Sequence, residues 1–282
     1  MMVRKIQRIN RNNNIMKTYL SLIKMRFING LQYRAAAFAG IATQFAFGFM
    51  FISMYLAFYR TNPEAFPMEI SQVVSYIWIQ QAFLGMYMTW LFEMNIFEDI
   101  TSGQVSYDLA KPFDIYGKWF CQCVACRLSI TILRCFPILI VGFLLPYPYK
   151  LVLPPDILQL SMFLISSALA LFVVVAFSMI IYISTFYTMS AAGMRIVGAV
   201  LGDFLGGHIL PLPFFPDGFR QVAEFLPFAA MQNMPLRIYT GNIAGMDALG
   251  GILFQLCWLA VLVTLGKAWM KTTLKSVVIQ GG

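Results

Sequence analysis

The stretch ILQLSMFLISSALALFVVVAFSMIIYISTFYTMSAAGM, residues 157–194, carries no charged side chain. A helix crossing a bilayer needs about 20 mostly apolar residues, because the hydrocarbon is about 30 Å thick and a helix rises about 1.5 Å per residue. This run is too long for one crossing. The spacing predicts a break near Thr185–Ser190 and two spans, Ile157–Phe186 and Ala191–Leu210. Upstream, Ala35–Tyr59 and Ile70–Phe92 are also uncharged, and Leu128–Tyr149 is interrupted only by Arg134. Downstream, Leu249–Gly266 completes a set of six spans. The whole chain of 282 residues is 60% hydrophobic and 11% charged. A soluble domain carries roughly 25% charged residues, so composition and pattern agree on an all-α integral membrane protein.

The net charge of +8 sits at one end. Residues 1–34 hold Arg4, Lys5, Arg8, Arg11, Lys17, Lys24, Arg26 and Arg34 and no acid; the remaining twelve Lys or Arg are balanced by the twelve acids. A cationic stretch directly before a span suits anionic membrane lipid, and no basic surface is left over for nucleic acid. No short apolar run with a small-residue cleavage site follows these charges, so they are not expected to form a signal peptide. Within 15–34, Ile15, Tyr19, Leu22 and Ile23 share one helical face while Lys17, Ser21 and Lys24 share another. That pattern predicts an amphipathic helix in the membrane interface.

Lys and Arg placement sets the expected orientation. With six spans, one side holds fifteen of them: the eight above with Lys111, Lys118, Arg127, Arg195, Lys267, Lys271 and Lys275. The other side holds four, Arg60, Lys150, Arg220 and Arg237. Both termini are therefore expected in the cytoplasm. Residues 211–240 read as short re-entrant helices at the opposite face, since Pro211, Pro213, Pro216, Pro227 and Pro235 interrupt an otherwise apolar segment. Broken backbone at membrane depth must be buried in protein or line a cavity.

No catalytic constellation is visible. His208 is the single histidine, without a Ser or Cys partner at recognisable spacing, and no Gly-x-x-x-x-Gly-Lys-Ser/Thr loop is present to cradle phosphates. The five cysteines, Cys121, Cys123, Cys126, Cys135 and Cys257, lack the second ligand cluster a structural zinc would need. No metal and no cofactor is expected on this chain. Arg134 and Asp203 are the charges best embedded in spans, and either serve function or pair for structure. Gln80 and Gln81 either line a polar path or bond between helices. Gly198, Gly202 and Gly206 form a stripe that lets a helix approach closely, inside the chain or between subunits.

One polar island remains, TSGQVSYDLAKPFD, residues 101–114. Ser102 is expected to cap a new helix, Gln104–Ala110 to form about two turns, and Lys111-Pro112 to end it. Tyr107, Asp108 and Leu109 would tip this helix. Glu93, Glu98, Asp99, Asp108 and Asp114 surround it and oppose anionic lipid, so it should project away from the bilayer. Such a helix suits docking into a groove of another protein.

The island resembles the intracellular loop of type-2 ABC export permeases, the membrane subunits of ATP-binding-cassette exporters. The likeness rests on Gly103, Val105, Leu109, Lys111 and Pro112, and on a second block of Pro213-Phe-Phe-Pro216, Leu226-Pro-Phe228, Pro235 and Ile238-Tyr-Thr-Gly241. It implies a coupling helix over 101–112, an interfacial elbow helix over 15–34, and a translocation path shared with a second permease, lined by the second and fifth spans. It also implies a separate ATPase subunit, which would bind ATP and Mg, in a bacterial cytoplasmic membrane. The apolar character fits amphiphilic cargo such as a drug, peptide, lipid or glycolipid. A self-contained secondary transporter or channel is the competing expectation, and would require clustered ionisable groups inside the membrane.

Overall fold

The computed structural model describes residues 2–109, 113–188 and 190–276. The regular elements among the described residues are all helices, with no strand among them. Helix α1 (Met2–Leu31) is followed, after an interruption at Gln32–Tyr33, by α2 (Arg34–Thr61). The expected amphipathic faces of α1 are visible: Tyr19, Leu22 and Ile23 are half-buried while Lys17, Ser21 and Lys24 are exposed.

The second expected span is a correction. Ile70–Phe92 is not one helix: α3 (Ile70–Ala82) stops at Phe83, α4 (Leu84–Tyr87) adds one turn, and Met88–Glu93 is non-helical. Helix α5 (Met94–Thr101) and the short α6 (Val105–Leu109) follow. The third expected span starts too late at Leu128. Helix α7 runs Ile115–Leu144 and takes in Lys118 and Arg127. Its start is set by Asp114, whose side chain accepts from Gly117 N at 2.9 Å, a Ncap arrangement.

Helix α8 (Ile157–Thr188) and α9 (Ala191–Leu205) divide the opening stretch close to the expected break, although α9 stops short of Leu210. Over 211–240 the chain forms a 3₁₀ turn at Leu212–Phe214, α10 (Asp217–Phe225), a π turn at Ala229–Asn233 and α11 (Met234–Tyr239). Helix α12 (Gly245–Ser276) ends the described chain.

Four of these helices, α2, α7, α8 and α12, are long and apolar enough to cross a membrane. Helices α3 and α9, of 13 and 15 residues, reach only about 20 and 22 Å, short of the roughly 30 Å hydrocarbon. The molecule is built around α8, whose apolar window is 67% buried against 22–39% for the other three. Helix α1 lies lengthwise on the first half of α7, with Tyr19 OH against Gly117 and Gly30 against Ser129. Helix α2 continues along the second half, where Trp78 of α3 fills the space left by Gly48 and Gly142 and donates to Tyr149 O at 2.8 Å.

Candidate functional site

The polar island is a tip on a fixed base. Ser102 closes α5 rather than opening a new helix: its hydroxyl donates to Glu98 O at 2.6 Å. This corrects the expected cap. Gly103 then turns the chain with φ +76°, a left-handed value that glycine adopts without steric cost. Helix α6 is shorter than expected, Val105–Leu109. Lys111 and Pro112, expected to end it, lie outside the described residues.

The side chains of α6 divide by face. Val105 is 2% exposed and anchors the helix to the core, whereas Tyr107 is 74% exposed and Leu109 39%. Asp108 does not tip the helix. It is buried and forms an ion pair with Lys118 at the start of α7. A carboxylate this enclosed requires such a cation, because an unpaired buried charge costs several kcal/mol. The outward face is therefore apolar and aromatic, and the charge points inward.

Below the tip, α5 buries Ile96, Phe97 and Ile100. The Phe97 ring lies 4.8 Å from Tyr182 of α8 and 5.9 Å from the Arg195 guanidinium carbon of α9. Burial of Asp99, with the charge of Asp108 nearby, holds its carboxyl above the usual carboxylate range. The non-helical link 88–93 joins α5 to the broken second span, and its backbone is satisfied by side chains. Arg127 Nη1 donates to Met88 O at 2.7 Å and Nη2 to Leu91 O at 2.8 Å. Tyr182 OH accepts from Glu93 N at 2.6 Å. Arg127 is 1% exposed. It carries the base of the tip, and the sequence reading passed over it as a flanking charge. The clue available was the helical spacing continuing upstream of Leu128, where Trp119 and Cys123 lie eight and four residues before Arg127 and so share its face.

A second polar group forms around His208, the other residue given no partner from sequence. Gln80 Nε2 donates to His208 Nδ1 at 3.0 Å and to His208 O at 2.8 Å. Asp203 accepts from Thr89 Oγ1 at 2.6 Å, and His208 N donates to Asp203 O at 3.0 Å. Gln81 is buried but joins no hydrogen bond of this group among the described residues. Arg134 does not pair with Asp203; its Nη2 donates to Ala36 O at 3.5 Å, on the α2 side. Of the glycine stripe, Gly198 lies against Ile181 of α8, and a Cβ at Gly202 would collide with Thr89. Gly206 caps α9. No group of three or more His, Cys, Asp or Glu able to hold a metal occurs among the described residues.

A family model described as "ABC-2 family transporter protein" matches residues 45–281. The chain belongs to the ABC-2 family. That family supplies the membrane component of an ABC transporter and works with an ATP-binding subunit; this ABC-2 protein is accordingly a multi-pass membrane permease. No curated protein and no solved structure matches it.

Proposed function

We propose that this chain is the permease subunit of an ABC exporter and that α6, within the segment 101–112, is its coupling helix. The observation that carries the reading is the division of α6: Tyr107 and Leu109 face outward while Val105 and the Asp108–Lys118 pair fix the helix to the bundle. An apolar tip held this firmly transmits displacement instead of bending. Through α5 it leads to the link held by Arg127 and Tyr182, so a push on the tip bears on the broken span. Gly103, Tyr107, Leu109, Lys111 and Pro112 form the contact with the ATPase subunit, where ATP and Mg are bound, while Val105 and Asp108 hold the helix from its inner face. A second permease, identical or homologous, completes the path, which runs past Gln80, Gln81 and Asp203. Both termini and α6 face the cytoplasm of a bacterial cell. The α3–α4 segment and α9 cross as the second and fifth of six spans, and amphiphilic cargo moves outward.

Purification of the full chain from membranes in mild detergent tests this. An ATP-binding-cassette subunit should accompany the wild-type chain and be lost from Leu109→Asp, which leaves membrane insertion intact. Equal recovery with both chains would refute the contact.

One observation favours a secondary transporter instead. Asp203 and His208 sit together beside Gln80, the clustering of ionisable groups that ion coupling uses. Uptake driven by an ion gradient in vesicles containing the purified chain alone would decide for that reading.

A further inference from the structure

Where α1 gives way to α2, the helices part and leave a cavity of about 430 Å³ against α7. This lies within the roughly 300–1,000 Å³ range of small-molecule pockets. Its charged lining is Arg26 from α1, Arg134 from α7 and Glu93 from the link before α5. Neither guanidinium has a carboxylate within ion-pair distance among the described residues. Arg134 Nε is buried without a hydrogen-bond partner. The guanidinium lies in a slot at Gly40, where any Cβ would collide with it. A cation held at the entry of a span, with only a long bond from Nη2 to Ala36 O and its Nε unmet, is costly unless an anion meets it. Planar guanidiniums match phosphate oxygens with paired donors.

The surroundings indicate what carries that phosphate. The face of α2 that bears Ala36 and Gly40 continues through Phe47, Met50, Met54 and Phe58 at helical spacing, and these four are exposed. From Phe47 to Phe58 this strip runs about 16 Å, enough to lie along an acyl chain. We propose that the cavity binds the phosphate of a membrane phospholipid between Arg26 and Arg134, with an acyl chain along this strip. Glu93, the acid in the lining, is placed to accept from a headgroup ammonium, so phosphatidylethanolamine is the matching probe. The site does not involve the outward face of α6 and does not require the transport reading.

Native mass spectrometry of the detergent-purified full chain tests the proposal with three additions. Phosphatidylethanolamine should be retained, diacylglycerol with the same chains should not, and millimolar inorganic phosphate should leave lipid retention unchanged. Arg26→Gln with Arg134→Gln should weaken retention at least ten-fold. Arg26→Gln alone, on the half-buried rim and outside the spans, should weaken it several-fold without risk to folding. Equal retention of diacylglycerol would show a merely apolar groove. Displacement by inorganic phosphate would show a free-anion site. Unchanged retention in Arg26→Gln would remove the arginines from recognition. Each of these three results overturns the proposal.

Discussion

Two segments of this chain break into short or non-helical pieces, residues 83–93 and residues 211–240, and they are held in opposite ways. In the second, prolines interrupt the helix from within the segment. Its freed carbonyls are met by glutamines from neighbouring helices. Gln159 Nε2 donates to Ile238 O at 2.5 Å and Gln255 Nε2 to Ala230 O at 2.8 Å; Gln159 Nε2 also reaches Ile243 O, just past the segment, at 2.7 Å. In the first, no proline interrupts the run. The break is imposed from outside, by one guanidinium that takes two carbonyls and one phenol that takes an amide proton. Both satisfy the rule that apolar surroundings tolerate no idle backbone group. A neutral amide network distributes the task, whereas Arg127 concentrates it in one side chain.

That difference ranks the consequences of mutation. Arg127→Met should be the most damaging change, because it frees the Met88 and Leu91 carbonyls together. Leaving a buried acceptor unsatisfied costs about 1–3 kcal/mol, so the two freed carbonyls should together cost roughly 2–6 kcal/mol, read as lost stability in mixed-micelle unfolding. A loss below about 1 kcal/mol would mean that the link finds other donors. Gln255→Leu should cost less, about 1–3 kcal/mol, since Ala230 lies in a segment held by several other bonds. If it matched Arg127→Met, the contrast between a single and a distributed support would fail.

The tip sharpens the comparison further. Asp108→Asn keeps the shape but leaves Lys118 without its anion, and should cost about 1.5–3 kcal/mol, the range for a hydrogen bond between charged groups. Tyr107→Ala should lie within about 0.5 kcal/mol of wild type, as exposed positions usually do. A large stability loss there would show that Tyr107 packs on the chain and does not face a partner.

The same contrast explains what could be read from sequence. The break over 211–240 was legible because Pro213, Pro216, Pro227 and Pro235 are local signals. The break at 83–93 was not, because an uncharged run from Ile70 to Phe92 fits a span by every local criterion. Only the distant Arg127 contradicts it. For the same reason Arg127 looked like a boundary charge, and α7 was started at Leu128. The tip was half legible: a short helix over Gln104–Ala110 was expected and α6 falls within it, but the anchoring of Val105 appears only in the packing. The inward turn of Asp108 depends on Lys118, ten positions on, and spacing alone did not show it.

The central claim is that the outward face of α6 passes energy from an ATPase subunit into this membrane chain. It is tested most directly by ATP hydrolysis in proteoliposomes containing both subunits, comparing wild type with Leu109→Asp at equal subunit content. The account predicts that the permease-dependent part of the hydrolysis falls at least ten-fold in the variant while the permease remains folded and inserted. Hydrolysis equal to wild type, with transport intact, would contradict it.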